Sequence, residues 1–312
     1  MADENRVPDR GDSPAAARVA PGTRIVPGGL IDAPGVSTFA RRGHGAILFK
    51  RLQAPLYAAS IFARAASLTI VTAGEKRVTT YDGGEFVIGE NEAVFLPPDL
   101  YQVSDLLPEA GGTFEQFLFF FEDDIVREFL SDRRVGLAAR EPETVFRCPY
   151  GKSLRIYAEH LGELFAELDG DPGPLLRIKL LEALQLLENA DRTRTFADWL
   201  ARAGAVQQRD LKSFMESNFH RGLTLEDYAA LTGRSVSSFQ RDFKRVFGLP
   251  PGKWITERRM RMARELLGRG TTSVTDVAFD IGYENISHFI RTFRKVYGVS
   301  PGEYRERRGP VV

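Results

Sequence analysis

Arg241 and Arg291 stand fifty positions apart, each two residues after one phenylalanine (Phe239, Phe289) and two before another (Phe243, Phe293). A guanidinium is a planar fork that matches the O6 and N7 edge of guanine, and it reads DNA best from a helix whose other face is buried. Ser237, Gln240 and Lys244 share the polar face of the first copy, and Ser287, His288 and Arg294 that of the second. Gln and Arg can address base edges, while Ser, Lys and the remaining Arg suit phosphates. A solvated helix face could carry the same residue types. The repeat argues against that reading: Asp227, Ala229 and Gly233 recur as Asp276, Ala278 and Gly282, and Gly248 and Pro251 recur as Gly298 and Pro301. Two copies of one device in register point to a paired helix-turn-helix.

The elements that must hold these side chains are legible around them. Thr224 with Asp227, and Ser273 with Asp276, form capping-box-like starts. Gly233 and Gly282 supply turns that need positive φ, and Ser235 and Asn285 cap the second helix of each copy. On those second helices Phe239, Phe243 and Val246/Phe247, and equally Phe289, Phe293 and Val296/Tyr297, recur at helical spacing and are expected in the core. Between the copies, Trp254 to Leu267 reads as one helix. Its buried stripe is Ile255, Met262/Ala263 and Leu266/Leu267, and its wet side Arg258, Arg259, Arg261 and Arg264. Such a helix would hold two reading helices about one DNA turn apart, roughly 34 Å.

The region from about Leu211 to Arg308 resembles the DNA-binding domain of the AraC/XylS family of bacterial transcription regulators. The resemblance is strongest at Asp276-Val-Ala278, Ile281-Gly-Tyr283 and Phe293 to Arg305. It implies that Ser237, Gln240 and Arg241, with Ser287, His288 and Arg291, face base pairs, and that double-stranded DNA and RNA polymerase are partners. Ile286 departs from the polar residue many members carry, so any base contact there would be apolar.

The formal net charge is zero, but it is unevenly placed. From Ala205 onward 19 Lys and Arg stand against 12 Asp and Glu, and the first 204 residues hold 23 against 30. A basic C-terminal part suits a polyanion. The single cysteine, Cys148, excludes an intramolecular disulfide and reads as a buried apolar residue rather than a redox switch. No apolar run approaches the ~18–20 residues that cross a bilayer. Residues 1–34 lack the apolar core of a signal peptide and read as a flexible tail, so a cytoplasmic protein with no membrane association is expected.

Between Gly43 and Phe121 the pattern changes to short β-rich runs, among them Ser67–Thr72, Arg77–Tyr81, Glu85–Gly89, Glu92–Leu96 and Thr113–Phe121. Asp82-Gly-Gly84 marks a hairpin and Pro97-Pro98 closes a strand. Many short strands at this spacing suggest a jelly-roll or cupin-like barrel. The run Phe117 to Phe121 is apolar on both strand faces and reads as a central buried strand. Tyr101 stands near where a cupin would place a metal-ligand histidine, and of the four histidines only His44 lies in the barrel region. A three-histidine metal site cannot be assembled, so no metal, no cofactor and no enzyme activity are expected. The rivals are a cupin enzyme fused to a DNA anchor and a non-specific architectural protein.

Two helices follow. One carries Leu154, Tyr157/Ala158, Leu161, Leu164/Phe165 and Leu168, and the other runs from Leu175 to Leu187. They either cover the barrel or, as the resemblance implies, form a homodimer. The Leu175–Leu187 helix, with Phe214-Met-Glu216 and Trp254 to Arg259, resembles the type III secretion activators of the family. That resemblance implies a protein effector as the alternative to a small molecule. The expected fold is α+β. Residues 35–150 form a cupin-like β-barrel regulatory domain and 151–192 a helical dimerisation region. Residues 193–205 are a linker anchored by Trp199, and 206–308 an all-α double helix-turn-helix domain. The expected function is sequence-specific DNA binding in transcription regulation, most simply as an activator.

Overall fold

Strand residues alternate between two faces, so a strand apolar at every position must be covered on both. In the computed structural model, which describes residues 23–308 except 82, 134–135, 137–143, 168–170, 204–208 and 271, that strand is β10 (Phe114–Phe121). It lies inside a six-stranded sheet, between β5 (Ala66–Ala73) and β3 (Gly45–Leu52). Leu118 faces Leu48 on one side and Thr69 on the other. The sheet continues through β2 (Val36–Arg42) at one edge, and through β8 (Glu92–Leu96) and β11 (Phe146–Pro149) at the other.

A second sheet holds β1 (Arg24–Val26), β4 (Leu56–Ala63), β9 (Asp99–Leu106), β6 (Glu75–Thr80) and β7 (Glu85–Ile88), in that order. Leu48, Val71, Leu118 and Phe120 of the first sheet share one core with Val26, Val78 and Val103 of the second. The expected barrel is therefore a jelly-roll-like sandwich, because each sheet keeps two edge strands and the ladder does not close. The hairpin between β6 and β7 forms as expected, although Asp82 at its tip lies outside the described residues. The segment expected to be a tail is ordered at its end: β1 pairs in parallel with β4, and Leu30 is buried. Residues 1–22 lie outside the described residues.

Phe117, Phe119 and Phe121 point to the other side, where four helices cover the six-stranded sheet. These are α1 (Asp123–Leu130), α2 (Lys152–Ala166), α3 (Gly173–Ala190) and α4 (Phe196–Ala203). Leu154, Tyr157, Ala158, Leu161 and Phe165 of α2 are buried as their spacing requires, whereas Leu164 is exposed and Leu168 lies outside the described residues. The segment 193–205, read as a linker, contains α4. Its Phe196 and Trp199 meet the ring of Phe95 at 5.7 and 5.8 Å, which fixes it to the sheet. Cys148 is buried beneath these helices, its thiol donating to Ala93 O at 3.3 Å. Burial and the nearby Asp191 charge push that thiol up to about 12, so it stays protonated and unreactive.

One polar group crosses the sandwich core. Lys50 of β3 and Lys76 of β6 each donate to the same Asp105 carboxylate of β9, both at 2.6 Å. All three are buried, Asp105 completely. Burial alone would raise the Asp105 carboxyl, but Lys76 and Lys50 outweigh it and hold it below the usual carboxylate range. Burial lowers Lys50 from the usual lysine range. Lys50 and Lys76 border a cavity of about 50 Å³, together with Gln116, whose buried Oε1 has no partner among the described residues.

Candidate nucleic-acid interface

Short polar side chains start every helix that presents the candidate site. Thr224 and Asp227 close the expected capping box on α6 (Leu225–Leu231), with Thr224 N donating to Asp227 Oδ2 at 2.9 Å and Asp227 N to Thr224 Oγ1 at 3.2 Å. On α9 (Val274–Asp280), Ser273 Oγ accepts from Asp276 N at 3.0 Å. Gly233 and Gly282 make the turns at φ 67° and 81°. Ser235 then caps α7 (Val236–Phe247) and Asn285 caps α10 (Ile286–Tyr297). Both helices end on a left-handed glycine, Gly248 or Gly298.

Phe239, Phe243, Phe289 and Phe293 are fully buried, each pair anchoring one reading helix. The third step of the stripe resolves to Phe247 and Tyr297, which pack partly inside, while Val246 and Val296 are 43 % and 48 % exposed. Four-residue steps from Phe239 and Phe289 lead to 243 and 247, and to 293 and 297, and leave 246 and 296 on the flank. The outward set is where the sequence places it: Ser237, Gln240, Arg241 and Lys244 on α7, and Ser287, His288, Arg291 and Arg294 on α10, are all exposed.

Among the described residues no carboxylate pairs with Lys244, Arg291, Arg294 or Lys295, so these cations are free to meet phosphates. Arg241 is 76 % exposed and only 3.9 Å from Asp242, which is held more closely by Arg245 and Arg234. Three outward residues were missed. Arg245 and Lys295 extend the cationic stripe, and Ile290 takes the place in α10 that Gln240 takes in α7. Adding the fifty-residue offset to Gln240 would have found it. Ile286 packs partly against the second core and does not stand free as an apolar base contact.

The helix between the units, α8 (Pro251–Gly268), buries Trp254, Ile255, Met260, Ala263 and Leu267. Of the arginines assigned to its wet side, one turns out otherwise. Arg258 lies over the Trp254 ring at 5.1 Å and reaches the exposed Glu216 at 3.8 Å, whereas Arg259 points inward to backbone carbonyls. Before the first unit comes α5 (Leu211–Asn218), and after the second α11 (Pro301–Arg308), whose Tyr304 packs on Phe293 at 5.7 Å.

The sandwich docks on the side of the first unit away from its reading face. Phe62 of β4 and Leu100 of β9 enter that unit's core beside Leu211 and Phe214. Tyr81 meets the Phe214 ring at 5.3 Å, and Arg209 reaches Asp99. Arg64 forms a two-pronged pair with Asp227, at 2.8 and 2.9 Å. Arg221 donates to Ser60 and, at 3.2 Å, to Thr23. The reading residues of α7 and α10 remain uncovered in this arrangement.

Among the described residues, no group of three His, Cys, Asp or Glu is placed to hold a metal ion, and no helix is long and apolar enough to cross a membrane.

Comparison with known proteins finds matches in both halves of the chain. Residues 228–307 match the family model of the helix-turn-helix domain, and residues 66–199 match that of the ExsA N-terminal regulatory domain. The virulence regulon transcriptional activator VirF of Yersinia enterocolitica is 28 % identical over 181 residues, 57 % of this chain and 63 % of VirF. The thermoregulatory protein LcrF of Yersinia pestis is 32 % identical over 114 residues, 36 % of this chain and 42 % of LcrF. The HTH-type transcriptional regulator ExsA of Pseudomonas aeruginosa is 27 % identical over 114 residues, 36 % of this chain and 41 % of ExsA. This chain thus spans less than two thirds of the length of each of these relatives.

Proposed function

We propose that the chain is a sequence-specific DNA-binding activator of the AraC/XylS type with a signal-receiving N-terminal domain, a reading supported by its matches to the helix-turn-helix and ExsA N-terminal regulatory models and to VirF and LcrF. The observation that carries this reading is the pair of helices α7 and α10, each seated by two buried phenylalanines with its polar residues and cations facing open solvent. Gln240, Arg241, Ser287, His288 and Arg291 read bases in successive major-groove segments, with Ser237 beside them. Lys244 and Arg294 neutralise phosphates. RNA polymerase is the partner through which a bound activator would act. Self-association is supported by exposed Ile156, Leu164 and Ile178 on α2 and α3.

A protein effector is favoured over a small molecule by the size of the sandwich cavity. At about 50 Å³ it is far below the ~300–1,000 Å³ of ordinary ligand pockets.

Capture of genomic fragments by the full-length protein is the direct test, and a small set of fragments sharing a two-box motif is expected. On such a site Arg291→Ala should cost ~1–3 kcal/mol and relax preference at one base pair. Lys244→Ala should weaken all sequences alike and lower the salt slope by about one. If the two variants behave identically, the chain is a non-specific architectural binder and the base-reading roles are wrong.

A further inference from the structure

A two-box operator is read only when the two reading helices keep a fixed separation and rotation. The structure contains a joint that could fix both. Gly282, in the turn of the second unit, is pressed against the backbone of the loop that follows α5 in the first. A Cβ built there would lie 2.4 Å from His220 O and 2.9 Å from Arg221 C and Gly222 N. Arg259 of α8 closes over this contact. Its Nε donates to Phe219 O at 2.8 Å, its Nη2 to Arg221 O, and its Nη1 to Gly282 O at 3.1 Å. One guanidinium therefore ties two carbonyls of the first unit to the turn of the second. Only arginine offers that many donors in a rigid plane. The loop is held from its own side as well, where the single Tyr228 O–H lies within hydrogen-bond reach of Asn218 O and Arg221 O, both at 3.0 Å.

We propose that Arg259 is a positioning residue that sets the spacing between operator boxes the chain accepts, by clamping the turn of the second unit to the 218–222 loop of the first. Arg259 reads no base and meets no phosphate in this role. The inference rests on the two-box reading above, and its test separates the two. Full-length protein and Arg259→Met are titrated with duplexes carrying the selected boxes at the natural spacing and with 1, 2 or 3 base pairs inserted or removed.

For the unaltered chain a two-base-pair shift disengages one helix from its bases and should weaken binding on the order of 100-fold. In Arg259→Met that penalty should fall to roughly 10-fold while the preference for box sequence is kept. An unchanged spacing profile overturns the proposal. So does a uniform loss at every spacing with a salt slope lower by about one, which marks an ordinary phosphate contact. If Arg259→Met does not fold, Arg259→Lys decides in its place, since it keeps the charge but cannot span three carbonyls. A profile as narrow as that of the unaltered chain then overturns the clamp. An unaltered chain indifferent to box sequence would instead sink the DNA-reading function itself.

Discussion

Asp105→Ala is expected to destabilise the N-terminal domain by about 3–5 kcal/mol, because it leaves the ammonium groups of Lys50 and Lys76 buried with no anion. That is a large part of the stability a domain of this size possesses. The measurement is urea unfolding followed through the two tryptophans, since Trp199 sits on the sandwich helices and Trp254 in the first helix-turn-helix core. The Trp199 transition should move to lower urea. A companion variant with Lys50→Met, Lys76→Met and Asp105→Leu should recover most of the loss, because a well-packed apolar replacement of a buried ion group is often neutral or stabilising. A shift under about 1 kcal/mol for Asp105→Ala would mean that the lysines find solvent or another partner.

The triad also sets an acid limit. The folded Asp105 carboxyl lies below its unfolded value of about 3.9, so its stabilisation is present above that pH and is lost as pH falls through the folded value. In Asp105→Ala this part of the acid dependence should vanish.

Gly282→Ala and Gly298→Ala should differ by much more than two turn glycines of similar φ would suggest. Both backbones are left-handed, at 81° and 77°, which costs an L-residue roughly 1–2 kcal/mol. Around Gly298 nothing lies within 4 Å of a built Cβ, so the backbone term is the whole cost. At Gly282 the new methyl would sit 2.4 Å from a backbone oxygen, and the two units must separate to admit it. A loss of at least about 3 kcal/mol, with partial undocking of the second unit, is expected from overpacking added to strain. Denaturant midpoints of the two variants measured side by side check this, and equal midpoints would show that the joint between the units is not tight.

The C-terminal domain was legible because its signals are local. Caps, turn glycines and phenylalanines four residues apart each act within one helical turn, and the fifty-residue repeat states them twice. The same local logic could not choose between Val246 and Phe247, which are adjacent and equally apolar. It also grouped Arg259 with Arg258, Arg261 and Arg264, because the carbonyls it meets belong to a loop 38 and 40 residues before it and a turn 23 residues after it.

In the N-terminal half the strands were visible and their closure was not. Alternation reports which residues share a face, but pairing edges are set by the whole sheet. Nothing local to Lys50, Lys76 or Asp105 marks them as one buried group, since 29 and 55 residues separate the aspartate from its partners. Helix α4 was hidden for a related reason: eight residues with three buried rings or branches resemble a linker until the sheet they cover is known.

Asp227 belongs to two owners, and Asp276, its counterpart in the repeat, does not. The carboxylate of Asp227 completes the start of α6 and also takes the fork of Arg64 from the end of the sandwich, whereas Asp276 answers to Ser273. Among the described residues the sandwich thus has a grip on the first helix-turn-helix unit that the second lacks. Binding free energies coupled through such a contact are reciprocal. An effector that raised operator affinity tenfold through the Arg64–Asp227 pair would itself be held tenfold more tightly by protein already on its operator. Promoter occupancy would then help to retain the signal that produced it.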